Sequence, residues 1–96
     1  MILSQLKNLL KTKEFELRAL HVKKLFVFGS VARGSAESTS DIDLLVEFDC
    51  PVGMFEFLEV KYFLEALLNA KVDLATERAL HPQLKDNILK EALRVA

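Results

Sequence analysis

Asp41 and Asp43 flank Ile42 at the start of an apolar segment, Asp41-Ile42-Asp43-Leu44-Leu45-Val46. An extended strand sends alternate side chains to opposite faces. Asp41, Asp43, Leu45 and Glu47 therefore share one face, and Ile42, Leu44, Val46 and Phe48 share the other. At a rise of about 3.3 Å per residue the two aspartates stand roughly 6.5–7 Å apart at Cα, and their carboxylates can lean onto one point. Two ionised carboxylates that close repel each other unless a cation lies between them. Oxygen donors of this kind select hard cations such as Mg²⁺. Asp73, in Lys71-Val72-Asp73-Leu74-Ala75-Thr76, repeats the pattern of a carboxylate opposite an apolar face. If the two strands are neighbours with their apolar faces in one core, Asp73 joins the pair. Three carboxylates can hold one or two metal ions, an arrangement that activates an attacking oxygen and stabilises a leaving phosphate.

Upstream, the apolar run Leu25-Phe26-Val27-Phe28 stops at Gly29-Ser30. A chain that leaves a buried strand and starts a helix presents unpaired backbone N–H groups. Gly29 permits close approach to that backbone, and Ser30 adds a hydroxyl, which together form an anion cradle. Arg33, about one turn on, can add a guanidinium to the same phosphate or brace an aspartate. Gly34 lets the chain leave the short helix with positive φ. Each feature alone has an ordinary explanation: a solvent-facing acidic pair, a turn, an edge charge. Their convergence points to phosphoryl or nucleotidyl transfer. Glu47 shares the aspartates' face but reads as a solvated or structural charge.

The elements that must position these residues follow from periodicity. Leu3, Leu6, Leu10 and Leu17 predict one amphipathic helix over residues 3 to about 20. A buried strand spans 24–28, a short helical turn 30–33, and a polar loop the segment Gly34-Ser-Ala-Glu-Ser-Thr-Ser40. A second strand covers 41–48 and ends at Pro51 and Gly53. A helix spans 55–68, a third strand 71–76, and a last helix runs from Pro82 to the chain end. The order is αβ(α)βαβα, an α/β (α+β) arrangement. On the 55–68 helix, Phe57, Val60, Leu64, Leu67 and Leu68 fill one arc. Phe55, Leu58 and Tyr62 fill a second, which is covered either by a neighbouring segment or by another chain.

Composition bounds the rest. The 96 residues are 51% hydrophobic and 28% charged, as expected of one small domain with a compact core. A formal net charge of −1 gives no basic field for nucleic acid, so no direct nucleic-acid binding is expected. The single cysteine, Cys50, excludes an internal disulfide and suits a reducing compartment. Cys50, His21 and His81 show no zinc-ligand spacing. Apolar runs are far shorter than a membrane helix needs, and Lys7, Lys11 and Lys13 interrupt any leader-like segment. A cytoplasmic protein without membrane contact is the expectation.

Gly29-Ser30-x-Ala32-Arg33-Gly34, Ser40-Asp41-x-Asp43-Leu44-x-Val46 and Val72-Asp73-Leu74 resemble the signature of the DNA polymerase β-like nucleotidyltransferase superfamily. The nearest resemblance is to its minimal, MNT-type antitoxin branch. It spans essentially the whole chain without departure at the motif positions. It implies a small mixed three-stranded sheet with helices packed on it. It further implies that Asp41 and Asp43 hold two Mg²⁺ ions, while Asp73 holds one and helps activate the acceptor hydroxyl. Gly29 and Ser30 would bind the β- and γ-phosphates of ATP or another nucleoside triphosphate. Arg33 stays between its two roles. In such families the protein transfers AMP to a small helical HEPN-domain partner, or neutralises that partner as an antitoxin by occlusion. No acceptor domain is visible, so the acceptor surface is expected from the partner or from a second copy in a homo-oligomer.

Overall fold

The computed structural model describes residues 2–34 and 41–96, with Ser30 described by its backbone alone. The loop expected over 34–40 lies largely outside the described residues.

The first helical segment is two helices, α1 (Leu3–Thr12) and α2 (Glu14–Ala19), not one. Thr12 explains the break. Its hydroxyl donates to the Leu9 carbonyl at 2.6 Å, the acceptor that the Lys13 N–H would use in a continuous helix. The Lys13 N–H bonds Leu10 O instead, at 3.1 Å. Leucine spacing carries no sign of this competition.

β1 (Val22–Phe28) runs into α3 (Gly29–Arg33), and β2 (Ile42–Phe48) returns antiparallel beside β1. α4 (Met54–Leu68) crosses over to β3 (Val72–Ala75), which lies parallel to β2. A short 3₁₀ turn, Glu77–Ala79, leads to α5 (Pro82–Glu91). Pro82 occupies the first turn of α5, and His81 Nδ1 accepts from Gln83 N–H at 3.2 Å.

The three-stranded expectation needs correction. α5 ends at Glu91, and the last residues form β4 (Leu93–Arg94), antiparallel to β1, giving the order β3-β2-β1-β4. The outer edge of β1 would otherwise leave its backbone groups unpaired. Val95 N donates to Leu25 O at 2.8 Å, Leu25 N donates to Ala96 O at 3.1 Å, and the Val95 side chain is buried. A two-residue strand is too short for alternation to announce it.

One sheet face holds the core. Leu25, Val27, Ile42, Leu44, Val46, Val72 and Leu74 pack against Leu6 and Leu10 of α1, Leu17 of α2, and Val60, Leu64 and Leu68 of α4. Among the described residues, the second arc of α4 is covered only in part: Phe55 is 88% and Tyr62 60% exposed, while Leu58 is half-buried.

Candidate active site

The opposite sheet face carries the acidic residues. Asp43 is the second residue of β2, and its Cα partners are Phe28 on β1 and Asp73 on β3. The parallel register therefore sets Asp43 and Asp73 side by side on the two strands. That register is fixed from two directions. Ile42 N donates to Lys71 O at 2.9 Å, and Val72 N donates to Glu65 Oε2 of α4 at 3.1 Å. Asp41 precedes the strand and is exposed. Apolar partners on the other face — Ile42, Leu44, Val72 and Leu74 — bury the strands and hold the carboxylates outward.

Electrostatics mark the same group. Partial burial pushes the Asp43 carboxyl above its ordinary value, and the Asp73 and Asp41 carboxylates push it further. Arg33 opposes them, and Glu91 adds to them. Like charges within the trio repel one another. A divalent cation would convert that repulsion into coordination, since carboxylate oxygens are the donors hard cations select.

Gly29 closes the site from the β1 side. Its φ is +70°, and a Cβ on it would collide with the Asp43 carboxylate. Glycine is therefore required twice, by backbone conformation and by proximity to the acidic cluster. The short α3 that follows brings Ser30 and Arg33 to the same strand end. The Ser30 side chain lies outside what is described.

Arg33 holds neither an aspartate nor an open orientation. Its Nη1 donates to Glu91 Oε1 at 2.8 Å, tying α3 to the last turn of α5. Sequence reasoning missed Glu91. It sits 58 residues from Arg33, in a helix whose acidic residues otherwise look like solvated charges, and no local signal distinguishes it. Opposite effects are expected from the two ends of this pair. Arg33→Ala raises the pH at which Asp43 ionises, and Glu91→Gln lowers it. Carboxyl-carbon NMR titration reads both, and equal shifts of one sign would contradict the arrangement. Glu47 stays apart from the cluster as expected, reaching Lys23 Nζ at 3.8 Å on the surface.

The aspartate-bearing face also carries a cavity of about 690 Å³. It starts at Leu45, two residues along β2 from Asp43. Phe26, Phe48, Val52 and Leu89 give it apolar walls, and Arg78 lines it too. Sequence spacing gave no sign of this cavity, because its lining residues come from elements far apart along the chain.

Comparison with known proteins places the family and the fold. A family model described as a nucleotidyltransferase domain matches residues 4–95. A Methanocaldococcus jannaschii protein with the provisional name protein adenylyltransferase MJ0435 is 43% identical over 89 residues, covering 92% of this chain and 96% of its own. The protein adenylyltransferase MntA of Thermococcus cleftensis is 35% identical over 94 residues, covering 97% of this chain and 95% of its own. A solved structure described, again provisionally, as a minimal nucleotidyltransferase superposes with a TM-score of 0.82 at 36% identity, covering 97% of this chain and 95% of that one. A toxin–antitoxin structure with AMP-PNP shares the fold at 22% identity, with a TM-score of 0.74 over 94% of this chain and 72% of that one. With Gly29, Asp43 and Asp73 gathered at one strand end of this fold, the chain belongs to the nucleotidyltransferase-domain family, in its minimal, MNT-type branch.

Proposed function

We propose that the protein is a Mg²⁺-dependent protein adenylyltransferase, moving AMP from ATP to a hydroxyl of a helical HEPN-type partner as the antitoxin of that pair. The observation that carries this reading is the pairing of Asp43 with Asp73 in register, with Gly29 pressed against the Asp43 carboxylate. Asp41, Asp43 and Asp73 are the donors that would hold one or two Mg²⁺ ions. Such ions supply charge to the triphosphate and lower the pKa of an attacking hydroxyl. Backbone N–H groups at Gly29 and Ser30 orient the β- and γ-phosphates. Asp73, on the edge strand, would receive the acceptor's proton. The cavity beyond Leu45 supplies an apolar wall for the rest of the nucleotide. Phe55 and Tyr62 on α4 offer an exposed surface for the partner.

The relatives' names and the AMP-PNP complex of a structural neighbour support adenylyl transfer in particular. A related structure described as a tri-AMPylated HEPN toxin with its MNT antitoxin supports a protein acceptor. Purified protein incubated with labelled ATP, Mg²⁺ and the product of the neighbouring gene is expected to add AMP to that partner, read as an increment in its intact mass. Stable binding with no mass change on the partner would favour neutralisation by occlusion over transfer.

A further inference from the structure

At the other end of β2, His21, Asp49 and Cys50 come together. Their candidate ligand atoms all lie within 4.8 Å of one another, and all three residues are exposed. His21 Nδ1 is 3.3 Å from Asp49 Oδ1. The two segments are locked by a backbone bond, Asp49 N to His21 O, at 2.9 Å. His21 itself has φ +69°, a left-handed conformation that glycine or asparagine takes with less strain. His81, the other histidine, lies elsewhere, capping α5. The cluster is invisible to sequence spacing because His21 enters β1 while Asp49 and Cys50 leave β2, and only the antiparallel pairing joins them.

We infer that His21, Asp49 and Cys50 form a binding site for a divalent transition metal ion of the zinc type, separate from the acidic cluster. The donor set decides the class. Imidazole, thiolate and carboxylate together suit zinc, whereas the all-oxygen cluster at Asp43 suits magnesium. The separation of imidazole and carboxylate fits two ligands of one tetrahedral ion, whose metal–ligand bonds are about 2.0–2.3 Å. Coordination replaces the Cys50 thiol proton, which leaves to solvent, so the sulfur binds as thiolate. Three protein ligands leave the fourth position to water. Asp49 is six residues along the chain from Asp43, roughly 20 Å in an extended strand, so the two ions do not compete for donors, although Asp49 and Cys50 also line the cavity beyond Leu45.

Cobalt is the reporting probe, because only a thiolate ligand gives a sulfur-to-cobalt charge-transfer absorption. The full chain, kept reduced with a non-chelating phosphine, is titrated with Co²⁺ and then with Zn²⁺. The expected result is a charge-transfer band saturating at one ion per chain and displaced by zinc. Cys50→Ser abolishes the band, while His21→Ala and Asp49→Asn each weaken cobalt affinity at least tenfold, with circular dichroism unchanged. Asp43→Asn leaves the band intact, which separates this site from the acidic cluster. A band that never forms, or that keeps its affinity in either His21→Ala or Asp49→Asn, overturns the site and leaves only a side-chain contact of His21 and Cys50 with Asp49.

Discussion

Asp43→Asn is expected to abolish nucleotidyl transfer while making the metal-free protein more stable. The loss comes from removing one anionic donor at the centre of the acidic cluster, where Asp43 neighbours both Gly29 and Asp73. The gain comes from the same place. Burial and the Asp73 and Asp41 carboxylates raise the Asp43 pKa above 3.8. A raised acid pKa means the folded state binds that proton more tightly than the unfolded chain does. Wild-type stability therefore falls as pH climbs from 3.8 through the folded value, and the whole penalty is present at neutral pH. Asparagine keeps the shape without the charge. Its advantage in melting temperature should be present at pH 7 and vanish below pH 3.8. Mg²⁺ should reverse the ranking, stabilising the wild type and leaving Asp43→Asn nearly unmoved. Thermal melts at two pH values, with and without Mg²⁺, read all of this. A variant that melts lower than wild type without metal at pH 7 would contradict the electrostatic account.

Much of this site was legible because strands impose a simple rule. Alternation alone separated Asp43 and Asp73 from Ile42, Leu44, Val72 and Leu74, and burial follows that division. Glycine at a strand-to-helix junction likewise has few meanings, and Gly29 takes the positive φ that its type permits. Long-range pairings were not legible. Arg33 could be placed near the phosphates from its spacing, but its bond to Glu91 depends on how α5 lies across α3. The fourth strand depends on β1 having an open edge for the chain end to fill, a property of the assembled sheet. The break at Thr12 depends on one hydroxyl choosing a carbonyl over solvent. The aspartate face also proved less polar than alternation suggests. Leu45 lies on it yet is 5% exposed, beside a cavity that only tertiary structure creates.

Gly29→Ala carries the second large effect, and Gly34→Ala is its control. Both glycines sit at positive φ, +70° and +74°. An alanine at either position meets the left-handed penalty, about 1–2 kcal/mol. The surroundings differ. At Gly34 a Cβ meets nothing within 4 Å among the described residues, so strain is the whole cost. At Gly29 the added carbon strikes the Asp43 carboxylate, an already repelled charge flanked by Asp73 and the start of α3. Either the carboxylate swings away from the metal position, or the first turn of α3 moves and misdirects its N–H groups. On the proposed function, both responses would disturb the alignment of triphosphate and metal, in which a displacement of about 1 Å costs on the order of a hundredfold in rate. Gly29→Ala should therefore lose transfer at least a hundredfold and weaken ATP binding, while remaining folded at a lower melting temperature. Gly34→Ala should show a comparable fall in melting temperature with transfer within a few-fold of wild type. Steady-state transfer rates, ATP titration calorimetry and thermal melts on the two variants separate strain from collision. Equal losses of activity in both would assign the effect to backbone strain and remove the contact between Gly29 and Asp43 from the mechanism.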